Sequence, residues 1–132
     1  MANSAFIATP GVASQAEMEA ASSTSVLVTP GRQAYHPLHP KAWAYYTNSA
    51  GTYTLVASSG VASFVKNSTG NLTITLSTAM SSTSYLCVPA QANTGRLSTA
   101  TPASTTTVTV LVRDFSNVSA DGDFGLVVFG DQ

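Results

Sequence analysis

Residues 71–77, NLTITLS, constrain the fold more than any other part of the sequence. Leu72, Ile74 and Leu76 alternate strictly with polar residues, which places all three on one face of an extended strand. A helix would spread the same residues around its surface, because its side chains repeat every 3.6 residues. The alternation therefore predicts a β-strand with one apolar face and one face of threonines.

The same period of two recurs along most of the chain after Lys41, interrupted by clusters of Gly, Asn, Pro and Ser. Asn67-Ser68-Thr69-Gly70 has the turn residues of a hairpin. The other predicted strands are residues 43–46, 52–57, 61–66, 84–88, 106–113 and 124–129. Residues 99–107, TATPASTTT, are interpreted as a loop entering a strand. Six or seven short strands without a long helical pattern predict an all-β fold, an antiparallel β-sandwich of jelly-roll-like type, with a barrel as the alternative.

The N-terminal part of the chain follows a different pattern and is predicted to form a short, partly helical arm. Ser14 and Glu17 have the spacing of a capping box, in which each side chain accepts a hydrogen bond from the backbone N–H of the other. Thr29 and Pro30 suit the cap and first turn of a second short helix that runs to about Tyr35.

This arm is too weakly apolar to be stable alone in water. Its first helix offers only Ala16, Met18, Ala20 and Ala21 for burial, and so short a helix needs a surface to dock on. That surface would belong to the main domain or to another subunit. The sequence thus predicts an N-terminal arm and connector over residues 1–40 and a β-sandwich domain over residues 41–132.

Both histidines of the chain lie in residues 35–43, YHPLHPKAW. Their H-x-x-H spacing would suit a metal on a helical face, but each histidine precedes a proline, which moves its backbone toward an extended conformation. No carboxylate lies nearby in the sequence to complete a ligand set. We interpret the segment as an extended connector in which Trp43 enters the packed region, with a symmetric metal site at His36 and His39 as the alternative.

Charged residues make up only 8% of the 132 residues, against about 25% in ordinary soluble domains. Five Lys and Arg against six Asp and Glu give a formal net charge of -1, which argues against nucleic acid as a partner. Weak charge leaves little repulsion to oppose association. The composition predicts a subunit of an oligomer or larger assembly.

No segment approaches the roughly 20 apolar residues of a membrane span, so no membrane partner is expected.

The titratable groups are too few to suggest a catalytic site. Asp121-Gly122-Asp123 resembles a fragment of a calcium loop but lacks the later ligands, and is interpreted as turn residues before the last strand. Cys87, the single cysteine, is interpreted as a small buried apolar residue. No catalytic residue, cofactor or metal is predicted, and a small cell-wall hydrolase is the remote alternative.

Two parts of the chain resemble a known family. Residues 8–37, ATPGVASQAEMEAASSTSVLVTPGRQAYHP, with KAW at 41–43, resemble a segment of tail-fibre and other virion structural proteins of tailed bacteriophages, where it leads into a small β-rich terminal module. The closing LVVFGDQ, residues 126–132, is similar to the end of that module. The resemblance implies a non-enzymatic, trimeric virion component, made in the host bacterial cytoplasm.

Only seven residues precede the matching segment, whereas fibre proteins of this type carry a long shaft there. We therefore expect a capsid decoration or cement protein that binds the capsid exterior as a homotrimer. A short tail-fibre or tail-tip module that binds a host receptor or glycan is the alternative. The expected contacts with its own copies, the major capsid protein or other virion proteins are Phe6, Ile7, Met18, Val26, Leu27, Val28, Tyr35, Trp43 and Tyr45.

Overall fold

The structure, a computed structural model, describes residues 10–36 and 38–132. The chain divides into two compact units, Met1–His39 and Pro40–Gln132. The expected contacts Phe6 and Ile7 lie outside the described residues.

The first unit contains the predicted capping box. The Glu17 N–H donates to Ser14 Oγ over 3.3 Å, and the Ser14 N–H donates to Glu17 Oε2 over 2.8 Å. These hydrogen bonds begin helix α1, Gln15–Ala20, which ends at Ala21 in the left-handed conformation, with φ of 49°. The backbone and side-chain hydrogen bonds from Ser14 lower the pKa of the Glu17 carboxyl. Met18 is the buried residue of α1.

Helix α2 is shorter than predicted. It covers Pro30–Gln33, with Pro30 in its first turn, and its N-cap Thr29 makes no side-chain hydrogen bond to the helix. The prediction that it reaches Tyr35 is wrong, because the N–H groups of Tyr35 and His36 bond to carbonyls three residues earlier and close separate turns. The Arg32 guanidinium lies 5.8 Å from the centre of the Tyr35 ring.

The connector also differs from the prediction. The His39 N–H donates to the His36 carbonyl oxygen over 2.9 Å, and the Leu38 N–H donates to His36 Nδ1 over 3.2 Å. The segment therefore turns instead of running extended, since these two hydrogen bonds close over only two and three residues.

The second unit is built from eight antiparallel strands. They are β1 Ala42–Ser49, β2 Thr52–Ser59, β3 Val61–Ser68, β4 Asn71–Leu76, β5 Leu86–Gln91, β6 Arg96–Pro102, β7 Thr107–Asp114 and β8 Phe124–Phe129. Sheet 1 has the order β2-β1-β8-β5, and sheet 2 has the order β3-β4-β7-β6. The two sheets pack together, which confirms the predicted all-β antiparallel sandwich.

The core lies between the two sheets and takes apolar residues from both. Alternate residues of β1, β4, β7 and β8 point inward, as the period of two requires. The largest fully buried side chains are Tyr46, Phe124, Leu126 and Val128 from sheet 1 and Leu72, Ile74, Val108, Val110 and Val112 from sheet 2. Cys87 is buried with them, as predicted.

Two glycines allow the chain to change direction tightly. Gly60 separates β2 from β3, where the chain passes from sheet 1 to sheet 2, and its φ of 71° suits glycine. A Cβ at Gly60 would overlap the Lys41 carbonyl. Gly70, with φ of 64°, ends the predicted β3–β4 turn, and a Cβ there would overlap the carbonyls of Val112 and Ala120.

The interpretation of residues 99–107 as a loop is wrong for its first half, which belongs to strand β6. β6 is an edge strand of sheet 2, where Pro102 can end the strand without breaking a ladder of hydrogen bonds on both sides. Ser98 and Ala100 lie between the exposed Leu97, Thr99 and Thr101. Small residues at these positions hide the apolar alternation that marks the other strands.

Candidate interaction surface

The outer face of sheet 1 carries a continuous apolar surface. We define the apolar face as Trp43, Tyr45, Leu86, Val88, Val127 and Phe129. Trp43 lies opposite Val127 on β8, and Val127 lies opposite Val88 on β5. Directly opposite residues of antiparallel strands share one face of the sheet, so these side chains form a row across three strands. Phe129 and Leu86 form the next row.

The apolar face is open to solvent. Trp43 is 42% exposed, Tyr45 38%, Leu86 60% and Val88 42%. The prediction that Trp43 enters the packed region is therefore wrong: its neighbours Ala42 and Ala44 point inward, and the alternation turns Trp43 outward. Single exposed apolar residues are ordinary, but a contiguous exposed group indicates an interaction site.

Sheet 1 is also free of charge. Its four strands read AWAYYTNS, TYTLVASS, LCVPAQ and FGLVVF, without one Asp, Glu, Lys or Arg. The charged residues within the described strands, Lys66, Arg96, Arg113 and Asp114, all lie in sheet 2. A partner that docks on sheet 1 would thus desolvate no charged side chain of these four strands. Desolvation of charged groups is the largest free-energy cost of burying a protein surface.

The outer face of sheet 2 is built differently. We define the threonine face as Thr73, Thr75, Thr99, Thr101, Thr107 and Thr109. Thr73, Thr109 and Thr101 form one row across β4, β7 and β6, and Thr75 lies opposite Thr107 in the next. Threonine hydroxyls keep this face hydrated while the β-branched side chains favour the strand conformation.

Both edges of sheet 1 are poor sites for adding another strand. Edge strand β5 contains Pro89, which has no N–H to donate. Edge strand β2 has an irregular register opposite Tyr45 and Tyr46, consistent with a bulge, and continues through Gly60 into sheet 2. We therefore expect a partner of sheet 1 to bind its outer face and not to add a strand at its edges.

A polar network holds the loops at one end of the sandwich. Asp121 Oδ1 accepts the Gly70 N–H over 2.8 Å, and Asp121 Oδ2 pairs with Lys66 Nζ over 2.7 Å. Lys66 Nζ also donates to the Gly51 carbonyl over 2.6 Å and lies 5.5 Å from the centre of the Tyr53 ring. The network joins the β1–β2 turn, the β3–β4 turn and the β7–β8 loop.

The titration of this network fits a structural role. Desolvation would raise the pKa of Asp121, but the hydrogen bonds from Lys66 and Gly70 outweigh it and hold the pKa below its usual value. Burial, with a smaller contribution from the nearby Asp121 charge, raises the pKa of Tyr53 to about 12. Asp121 is thus a carboxylate and Tyr53 a neutral phenol at neutral pH.

Asp123 completes the attachment of this loop to sheet 1. The Asn48 N–H donates to Asp123 Oδ1 over 2.6 Å, and Gln91 Nε2 donates to the Asp123 carbonyl over 2.7 Å. Among residues 10–36 and 38–132, no group of three His, Cys, Asp or Glu side chains is placed to hold a metal ion. The carboxylates of Asp121 and Asp123 are used to fix the entry into β8.

Cys87 does not have the environment of a nucleophile. Its side chain is buried in the core, and this burial raises the pKa of its thiol to about 11. Reactive cysteines have the opposite properties, a lowered pKa and access to solvent. Cys87 therefore packs as an apolar residue.

The expected contacts in the first unit occupy several environments. Met18, Val26 and Val28 line an open cleft of about 210 Å³, together with Glu17 and His36. Met18 is buried, whereas Leu27 and Val28 are more than half exposed. The Leu27 backbone bonds to Gly11 and Ala13, so its strand-like segment is fixed within this unit. Tyr35 is half-buried beside Arg32.

Of the seven expected contacts within the described residues, Trp43 and Tyr45 lie on the apolar face. Leu86, Val88, Val127 and Phe129 were not among the expected contacts. The sequence did contain a pattern that indicates this face. LCVPAQ and FGLVVF are apolar at both odd and even positions, whereas a strand with one solvent-exposed polar face would alternate apolar and polar residues.

No helix of the part of the chain that is described has the length and apolar character needed to cross a membrane. No protein-family model, characterised protein or solved structure matches the chain.

Proposed function

We propose that the chain is a non-enzymatic structural protein of a phage virion, a decoration or cement protein that binds the outside of the capsid as an oligomer. The main support is the uncharged apolar face, which leaves Trp43, Tyr45, Leu86 and Val88 exposed in a single copy. The resemblance of residues 8–37 to virion proteins supports the same proposal. The homotrimer and the capsid location stay predictions.

The proposed mechanism is attachment through several modest contacts. Each copy would bury apolar surface against a capsid protein, and linking the copies makes later contacts intramolecular, which raises the overall affinity. A stable contact needs roughly 1,000 Å² of buried surface. The first unit offers Leu27 and Val28 as exposed apolar residues for this purpose.

The test is a cryo-microscopy reconstruction of the particles whose genome encodes the chain, beside particles from which its gene has been deleted. We expect extra density on the capsid exterior that disappears on deletion, and earlier loss of capsid integrity on heating. Particles without such density, or with density confined to the tail, would contradict the proposal.

A second candidate function is a tail-tip module that binds a host-surface glycan. The observation that favours it is the placement of Trp43 and Tyr45 on the same face of β1, both exposed. Aromatic side chains with an apolar ring and a polar atom suit the faces and hydroxyls of sugars. Purified protein that blocks phage adsorption to host cells, with the Trp43→Ser variant inactive, would favour this candidate over capsid decoration.

A further inference from the structure

We infer that the apolar face of sheet 1 binds a second copy of this chain, face to face around a two-fold axis. This inference rests on the oligomeric part of the proposed function, names the surface that forms the subunit contact, and gives a two-fold pair in place of the homotrimer that the resemblance implies. It does not depend on where in a virion the chain is located.

The partner that suits this face is another uncharged apolar surface. A partner with exposed Lys, Arg, Asp or Glu would have to desolvate those groups against a sheet that offers no opposite charge. A second copy of sheet 1 brings no charge of its own. Self-association also meets little long-range repulsion, because the formal net charge of the chain is -1.

The shape of the face allows it to fit itself. Trp43 and Tyr45 project from β1, and their direct neighbours on β8 are the smaller Val127 and Gly125. A ridge on β1 thus lies beside a hollow on β8. A two-fold axis parallel to the strands, between β1 and β8, would place the ridge of each copy in the hollow of the other. An isologous contact requires this self-complementarity.

The edges of the sheet favour the same arrangement. Copies could instead join edge to edge into a continuous sheet, but Pro89 removes a backbone donor from β5, and β2 leads directly into β3. Face-to-face packing uses the side chains of the apolar face and needs no free backbone groups.

The area of the face predicts how strong the contact is. The whole outer face of sheet 1, four strands of six to eight residues, measures roughly 19 Å by 23 Å, since strands lie about 4.8 Å apart and rise about 3.3 Å per residue. The apolar face occupies three of these strands. Two copies packed over this whole outer face would cover roughly 900 Å² of flat area, and the apolar face alone would cover less, below the roughly 1,000 Å² of a stable biological interface. We therefore expect a reversible pair whose population depends on protein concentration.

The test is sedimentation velocity of the full chain from micromolar to near-millimolar concentration, with native mass spectrometry to count copies. The wild-type chain should pass from monomer to dimer. Val88→Glu places a charge on the apolar face, and in a two-fold contact two copies of it, so we expect dimerisation to weaken at least about tenfold. Thr99→Glu puts the same charge on the exposed threonine face and should leave dimerisation unchanged.

Melting curves of both variants separate a folding defect from a lost contact. A third variant, Trp43→Ser, removes the larger side chain of the ridge without adding a charge. Dimerisation of Val88→Glu and Trp43→Ser at wild-type strength would overturn the inference. So would equal weakening by Thr99→Glu, a wild-type monomer at all concentrations, or a trimer as the limiting species. If the dimer forms but the particles lack capsid density, the decoration function fails and the contact stands.

Discussion

The two sheets of this sandwich have equivalent inner faces and different outer faces. Inside, both supply fully buried apolar side chains to one core. Outside, sheet 1 presents Trp43 and Leu86 on strands that contain no charge. Sheet 2 presents threonines, with Val65 and Leu97 as exposed apolar residues, and holds the charges of the described strands. Folding alone requires only the inner faces to be apolar. The difference outside therefore carries information about partners.

The contrast also separates two uses of a strand. Threonine at alternate positions, as in NLTITL, gives a strand that needs no further apolar contact once its inner face is covered. An apolar residue at every position, as in FGLVVF, gives a strand whose outer face still exposes apolar surface after folding. The second pattern is usual in sheets covered on both sides. Strands β5 and β8 of sheet 1 have that pattern, and Leu86 and Val88 of β5 are exposed.

The largest expected effect tests whether the inner faces are equivalent. Leu126 of sheet 1 and Leu72 of sheet 2 are both essentially buried. Each change to Ala leaves a cavity in the shared core, and we expect each to lower the free energy of unfolding by about 2–5 kcal/mol. Urea denaturation of both variants, at a concentration where the chain is monomeric, measures the two losses.

The matched control is Leu97→Ala, which removes the same atoms from a residue that is 53% exposed on sheet 2. We expect it to stay within about 0.5 kcal/mol of wild type. A large loss for Leu72 with a negligible one for Leu126 would mean that sheet 1 contributes little to the common core, and the equivalence of the inner faces would be wrong.

The next effect concerns the loops that join the two sheets at one end. Asp121→Asn removes the charge that pairs with Lys66 and weakens the bond from the Gly70 N–H. Hydrogen bonds to charged groups contribute about 1.5–3 kcal/mol, so we expect a loss in this range at neutral pH. Thermal and urea denaturation measure it, with the exposed Asp131→Asn as the control that removes one carboxylate without affecting this network.

The same variant predicts a pH dependence. The pKa of Asp121 is lowered in the folded chain, so its carboxylate stabilises the fold fully above the unfolded pKa of about 3.9. This contribution is lost as the pH falls through the lower folded pKa. Below about pH 4 the stability of the wild type should therefore decrease more steeply than that of Asp121→Asn. Parallel curves for the two proteins would contradict the assigned role of Asp121.

A smaller effect tests a hydrogen bond across the other end of the sandwich. The Tyr85 hydroxyl, just before β5 of sheet 1, lies 2.8 Å from two carbonyl oxygens on the side of sheet 2 and shares its one hydrogen between them. They belong to Ser104, in the loop before β7, and to Thr107, the first residue of β7. Tyr85→Phe removes this donor and should lower the free energy of unfolding by about 1 kcal/mol. A variant as stable as wild type in urea denaturation would show that this hydroxyl does not tie the sheets together.

Much of this fold was predictable from the sequence because a period of two is a direct consequence of strand geometry. Strand β4 alternates in the sequence as it does in burial, and the Ser14–Glu17 capping box forms as its spacing requires. β6 was missed because its inward positions hold Ser98 and Ala100, whose small side chains give no apolar signal. An alternating apolar pattern in the sequence indicates a strand only where the buried residues have large apolar side chains.

The apolar face was predicted only in part, for a different reason. Aromatic residues at 43, 45, 46 and 53 are equally suited to a core or to an interface, and only the register decides between them. Tyr46 and Tyr53 point inward, while Trp43 and Tyr45 point outward. The pairing of Val127 with both Trp43 and Val88 is a tertiary property, since it needs the strand order β1-β8-β5. No spacing along the chain encodes that order by itself.

The smallest expected effect concerns the aromatic group where the two sheets meet. The Tyr46 ring stacks on Phe124 of its own sheet at 4.9 Å and meets the edge of Phe64 of sheet 2 at 5.1 Å. Its side chain is fully buried, and within residues 10–36 and 38–132 its hydroxyl has no hydrogen-bond partner. Burial raises the pKa of Tyr46 to about 12, so the hydroxyl stays protonated at neutral pH.

Tyr46→Phe removes an unpaired polar atom and keeps the ring contacts, so the free energy of unfolding should stay unchanged or rise by up to about 1 kcal/mol. The control is Tyr53→Phe, because the Tyr53 hydroxyl accepts the Gly122 N–H over 3.2 Å and its loss should destabilise the chain by about 1 kcal/mol. Paired urea denaturation curves give both values. A Tyr46→Phe variant that loses as much stability as Tyr53→Phe would mean that the hydroxyl is bonded, and that the interior between the sheets is more polar than its apolar lining indicates.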